Sequence, residues 1–122
     1  MASSNRPVVA RGEIWLISLD PAIGSEQAKT RPCIVVQRDA ANRTGRTTIV
    51  VPLTDAAGHT ESTIKPGFGA GIGGLKKRSL ALCHQVRAVD RLRLRKKLGT
   101  LDGRSMEMID SGLLAILDLP DV

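Results

Sequence analysis

The chain has 122 residues, 42 % hydrophobic and 25 % charged, with 18 Lys plus Arg against 12 Asp plus Glu, a formal net charge of +6. That length and apolar content describe one domain with its own core and exclude a disordered chain, while the charge points to a polyanionic partner, either nucleic acid or an acidic protein segment. Trp15 and Phe68 are the only aromatic residues, which excludes a single-strand groove built on an array of stacking rings.

Residues 1–10 are small, polar and proline-marked and read as a flexible arm. They lack the apolar core of a signal peptide, and no run in the chain is long enough to span a bilayer, so no membrane role is expected and the cytoplasm is the expected compartment. Residues 11–19 form a first strand. Ile14, Leu16 and Ser18 fall on one face and Trp15, Ile17 and Leu19 on the other. Both faces are mostly apolar, so both are expected to be covered. Asp20-Pro21 opens a turn, and residues 21–30 make a polar loop of the length that functional loops reach.

Arg31 stands where this loop meets a second strand, residues 32–37. Pro32 biases Arg31 toward extended geometry. Cys33, Ile34, Val35 and Val36 are the apolar, largely β-branched side chains of a buried strand. A guanidinium at the mouth of a rigid sheet, with polar groups just upstream, suits a site that grips an anion. A solvated surface ion pair is the alternative that the residue alone leaves open.

Residues 38–45 are a charged connection ending in the turn-like Asn42-Arg43-Thr44-Gly45. A third strand covers residues 46–53, with Pro52 near its end, where an edge or bulge tolerates the missing N–H. Thr54-Asp55 leaves the sheet, and residues 59–65 read as a short polar strand. Residues 66–74 contain five glycines. No Gly-Lys-Ser/Thr follows them, so a mobile surface loop is expected rather than a phosphate loop. The triplet Lys76-Lys77-Arg78 is either a solvated turn or a contact to a nucleic-acid backbone.

Residues 79–90 read as one further strand, with Leu80, Leu82, His84 and Val86 alternating with Ala81, Cys83, Gln85 and Arg87. His84 then lies on an apolar face as a hydrogen-bonded core histidine. Gln85 and Arg87 share the other face and reach a common ligand. Residues 91–101 alternate Arg and Leu, as a turn and a final amphipathic strand with a solvated basic face. Asp102 is a candidate N-cap for a helix with Met106, Ile109, Leu113, Ile116 and Leu117 on one stripe, ending at Pro120. Strands first and one helix last describe a β-rich α+β domain, a compact barrel or half-open sheet closed on one side by the helix. Cys33 and Cys83 lie in separate apolar runs without metal-ligand spacing, so two buried free thiols and no zinc site are expected.

In chain order, these residues resemble the MazF/PemK toxins of bacterial toxin–antitoxin systems. The matching pieces are Arg11-Gly12-Glu13-Ile14-Trp15, Pro21, Gly24-Ser25-Glu26-Gln27, Thr30-Arg31-Pro32 before a Val-rich strand, Val51-Pro52-Leu53-Thr54, Gly74-Leu75-Lys76-Lys77-Arg78-Ser79 and Gln85-Val86-Arg87-Ala88-Val89-Asp90. They span residues 11–119, the expected toxin domain. The resemblance implies a small SH3-like β-barrel or curved antiparallel sheet with a C-terminal helix, paired as a homodimer. It implies a ribosome-independent endoribonuclease that cuts single-stranded RNA at a short sequence without metal or other cofactor. In such toxins the 2′-hydroxyl attacks its own phosphodiester and leaves 2′,3′-cyclic phosphate and 5′-hydroxyl ends. It also implies a cognate acidic, MazE-like antitoxin that covers the basic groove.

Carried over residue by residue, the resemblance makes Arg31 the catalytic arginine, Thr54 its partner and Glu26 a functional loop glutamate. Gln85 becomes a wall of the RNA groove, and Ser25, Gln27, Lys29, Thr30, Lys76, Lys77, His84 and Arg87 are the further candidate RNA contacts. A fixed, permanently charged fork at Arg31 suits the negative charge that grows on the phosphoryl oxygens, and a hydroxyl at Thr54 adds a second donor. Glu26 and His84 are both open as the acceptor of the 2′-hydroxyl proton. The glycine insert, Arg78 and His84 depart from the family pattern. With so few aromatics, base reading falls to polar side chains and loop backbone. Two other classes fit parts of the chain. A gyrase poison of the CcdB type shares the fold but depends on a Trp-Gly-Ile terminus, whereas this chain ends Leu119-Pro120-Asp121-Val122. A basic RNA-binding barrel without catalysis is the other.

Overall fold

The computed structural model describes residues 5–120. Seven strands form an antiparallel sheet: β1 (Glu13–Ser18), β2 (Thr30–Val35), β3 (Thr47–Asp55), β4 (Gly67–Phe68), β5 (Ser79–Ala81), β6 (Arg87–Asp90) and β7 (Leu94–Thr100). A short helix α1 (Asp39–Asn42) links β2 to β3, and α2 (Gly103–Ile116) follows the last strand. The sheet order is β4-β5-β3-β2-β1-β7, with β6 also paired to β3. β4 and β7 stand at opposite ends of this order, so the sheet is curved and open rather than a closed barrel.

The apolar alternation of β1 feeds two clusters. Ile14 packs with Ile34, Val51, Leu53, Phe68, Leu75 and, from α2, Met106 and Ile109. Ile17 and Leu19 pack on the other side with Cys33, Val35, Val50 and Val89. Both faces of the central strands are therefore dry, as the sequence implies. Cys33 and Cys83 are buried free thiols. Burial pushes Cys33 up to about 12 and Cys83 up to about 11. The Asp102 side chain accepts from Ser105 N–H at 2.7 Å and caps α2. Its stripe is only partly used. Met106 and Ile109 are buried, while Ile116 and Leu117 beyond them are exposed, and the helix stops at Ile116, short of Pro120.

Several expectations need correction. Residues 1–4 of the expected arm lie outside the described residues, but its second half is not loose. Arg6 grips Asp90 with both Nε and Nη2 at 2.9 Å, and Val9 is buried in the second cluster. Residues 38–45 contain a helical turn, α1, because Asn42 is buried in hydrogen bonds with Gln37, Asp39 and Thr48. Residues 59–65 make only the isolated Ser62–Lys65 bridge.

The expected strand 79–90 is split. β5 pairs with residues 53–55 of β3 and β6 with residues 47–50, and a 3-10 turn, Cys83–Gln85, lies between them. Pro52 explains the break. Its carbonyl accepts from Leu82 N–H, and a strand residue presents both polar groups to one side, so the missing donor falls where the partner leaves. Pro52 thus sits inside a central strand, at the point where that strand changes partners. As a result His84 is exposed on the turn and is not a core residue.

The glycine-rich stretch is no mobile loop either. Gly73 and Gly74 have φ of +57° and +81° and lie against β1 and β7. A Cβ on Gly73 would come within 2.5 Å of Ile14 Cδ1, and one on Gly74 would overlap the Leu98 carbonyl. The glycines let the backbone press onto the sheet edge and bury Leu75 and Phe68.

Candidate active site

The loop at residues 20–29 is held at both roots. Leu19 N–H donates to Lys29 O, and Lys29 N–H to Asp20 Oδ1, each at 2.8 Å. Arg93 adds bonds from Nη1 to the carbonyls of Ser18 and Asp20. At the tip, Glu26 Oε1 accepts from Ile23 N–H at 2.8 Å, and Gln27 N–H donates to Gln85 Oε1 at 2.8 Å. The loop is thereby tied to the 3-10 turn that Pro52 creates.

These ties frame a cleft of about 540 Å³ lined by Ser25, Glu26, Gln27, His84, Gln85 and Arg87 over Leu19, Pro52 and Val86. Gln85 and Arg87 do meet in one cleft, but through the turn and not through shared strand alternation. A second cavity of about 320 Å³ holds Arg31, Thr54, Lys76 and Lys77. Its floor is aliphatic, with Leu16, Leu53, Leu75 and Leu98, and Asp55, Ser79 and Lys96 complete its rim. Lys29 and Thr30 line neither cavity. Lys29 is an exposed turn residue at φ +66°, and Thr30 begins β2 opposite Ser18.

Arg31 and Thr54 come together because β2 and β3 are neighbours in the sheet. β2 and β3 pair Cys33 with Pro52 and Val35 with Val50. Beyond Cys33 and Pro52 the two strands run on to Arg31 and Thr54, and both side chains line the second cavity. Arg31 Nε donates to Ala28 O at 3.1 Å, which fixes the plane of the guanidinium. Its terminal nitrogens, and the hydroxyl of Thr54, make no hydrogen bond among the described residues. Two donors are thus aimed into one cavity with their capacity unused, the arrangement that stabilises developing negative charge. Burial pushes the Cys33 thiol up, and the charges of Arg87 and Arg31 pull it down in part.

The cations around this cavity are not equivalent. Lys77 Nζ lies 3.5 Å from Asp55, and Arg78 is paired with Glu61. Lys97 lies 2.8 Å from Glu13. Ala57 N–H, followed by Lys77, holds the Asp55 carboxyl below the usual carboxylate range. Lys76 and Lys96 carry no ion pair among the described residues. Lys96 was not among the sequence candidates. Its only signal is the Arg/Leu alternation of residues 91–101, and only the pairing of Lys96 with Leu16 brings it to the site. Glu26 and His84 sit in the first cleft, apart from Arg31 and Thr54. No cluster of three or more His, Cys, Asp or Glu among the described residues could hold a metal ion. Among them, too, no helix is long and apolar enough to cross a membrane.

The pattern of the PemK-like, MazF-like toxins of type II toxin–antitoxin systems matches residues 10–117. This chain belongs to that family. Over 114 residues it is 33 % identical to endoribonuclease EndoA of Bacillus subtilis (strain 168), covering 93 % of this chain and 98 % of the relative. Among solved structures, MazF of Deinococcus radiodurans superposes with a TM-score of 0.78 at 20 % identity, over 92 % of this chain and 98 % of that one. A mycobacterial endoribonuclease in complex with its cognate antitoxin gives 0.75 at 19 % identity, over 93 % and 99 %. The curved open sheet with one C-terminal helix is the fold of these toxins.

Proposed function

We propose that this family member is an endoribonuclease toxin that cleaves single-stranded RNA through Arg31 and Thr54. The observation that carries the reading is that these two residues, 23 apart in sequence, face one cavity with open donors, in a chain 33 % identical to an endoribonuclease. The nucleophile belongs to the substrate. Its 2′-oxygen attacks the adjacent phosphorus, a P–O2′ bond forms and the P–O5′ bond breaks. The 2′-hydroxyl proton goes to a base, and the departing 5′-oxygen takes up a proton. Products are a 2′,3′-cyclic phosphate and a 5′-hydroxyl. Arg31 and Thr54 meet the charge on the non-bridging oxygens, each such preorganised donor being worth about 3–4 kcal/mol. Glu26 and His84 remain the candidates for the base, and either reaches the scissile nucleotide only from the neighbouring cleft, where Ser25, Gln27, Gln85 and Arg87 read bases of the unstacked strand.

An acidic antitoxin segment is the proposed neutralising partner, since the unpaired cations of both clefts offer it counter-charges and such segments order on binding. A homodimer is supported by the uncovered end of the α2 stripe, Ile116 and Leu117. The proposed place of action is the cytoplasm, where two unpaired thiols are stable. Digestion of a long defined RNA, with 5′ ends mapped and product termini identified, tests the activity and its chemistry together. Arg31→Ala in a folded protein should abolish the cuts, and undiminished cleavage would overturn the mechanism.

A further inference from the structure

β7 is the last strand in the sheet order, and of its basic residues Lys96 alone lines the Arg31 cavity. Lys96 and Lys97 are neighbours on it with different surroundings. Lys97 is committed to Glu13, whose carboxyl is pushed up by burial but pulled further down by Lys97, Trp15 Nε1 and Ala10 N–H. Lys96 pairs across the strands with Leu16 and lines the Arg31 cavity. Beneath it lies an aliphatic floor of Leu16 and Leu98.

We propose that Lys96 is a phosphate-positioning residue, and that the RNA strand crosses the β7 edge beside the Arg31 cavity. This rests on the endoribonuclease reading above and adds the path of the chain to it. Arg31 holds the scissile phosphate, and Lys96 holds a neighbouring phosphate of the same strand, with one base set on the leucine floor between them. Lys77 is drawn toward Asp55, Arg78 toward Glu61 and Lys97 toward Glu13, whereas Lys96 has an exposed ammonium with no counter-ion among the described residues. A long flexible stem lets that ammonium follow a phosphate without fixing the sequence.

The probe is a short single-stranded RNA containing the mapped cut site, 2′-O-methylated at the cleaved nucleotide so that no attack occurs. Its affinity for the full chain is measured across a salt series, beside kcat and KM on the unmodified RNA. Lys96→Gln should lower the magnitude of the log–log salt slope by about 0.7 and weaken binding roughly two- to fivefold, with kcat and the cut site unchanged. Lys96→Arg should restore the slope. Lys97→Gln removes the same charge one residue away and should leave the slope as in the parent. An unchanged slope in Lys96→Gln, or an equal fall in both glutamine variants, would overturn the assignment while leaving the cleavage reading in place. A parent chain that neither binds nor cuts the RNA would overturn both.

Discussion

The backbone N–H of Gln27 donates to Oε1 of Gln85 at 2.8 Å, across 58 residues of sequence. One bond therefore couples the tip of the loop at residues 20–29 to the turn that follows β5. Gln27 Oε1, on the same residue, is buried with no hydrogen-bond partner among the described residues. Gln85→Ala should free the loop. KM for RNA is expected to rise roughly three- to tenfold with a fall of a few degrees in melting temperature, since a part-buried bond of this kind contributes about 1 kcal/mol. Hydrogen exchange at the Gln27 amide should quicken in the variant. An unchanged exchange rate would show that the bond does not hold the loop.

Arg31→Lys separates charge from geometry. Lysine keeps the positive charge but cannot bond Ala28 O and present a planar fork at the same time. A loss of about 10²–10³ in kcat is expected, with RNA affinity nearly kept. Single-turnover rates beside equilibrium binding measure the two effects separately. Full activity in the lysine variant would mean that charge alone suffices.

Acid should loosen the N-terminal segment through Asp90. The bidentate bonds from Arg6, then the Leu92 N–H, lower its carboxyl from 3.8 to about 2. The folded value lies below the unfolded one, so the stabilisation is full above about pH 4 and fades as pH falls toward 2. Melting temperature recorded between those values should drop less steeply in Asp90→Asn, which starts lower and has no carboxylate to lose. Parallel acid limbs in the two proteins would exclude this pair as a contributor.

Gly74→Ala should destabilise the fold by about 2–3 kcal/mol, because a methyl group there meets the fixed backbone of Leu98 at a φ that L residues rarely adopt. Gly58→Ala, at φ +77° with open space around it, carries the backbone strain alone and should cost about 1–2 kcal/mol. Urea melts of both variants test the contrast. Equal losses would mean that the glycine-rich stretch is no more tightly packed than an ordinary turn.

Composition and local pattern by themselves determined a β-rich domain with a late helix, the Asp102 cap, two buried free thiols and an arginine at the mouth of β2. Each depends on neighbours a few residues apart, through alternation, capping or the conformational bias of Pro32. Tertiary structure alone decided how the candidates divide. Arg31 and Thr54 share a cavity because β2 and β3 are neighbours in the sheet, whereas Glu26, His84 and Gln85 fall into a separate cleft because Pro52 forces the partner chain into a turn. Whether a lysine is free is also a long-range matter. Lys77 and Lys97 are drawn to Asp55 and Glu13, while Lys96 is left open, and in the sequence all three are lysines in basic runs. The glycine-rich stretch reads as slack because its purpose, close approach to Leu98 and Gly99, lies in a strand more than twenty residues away.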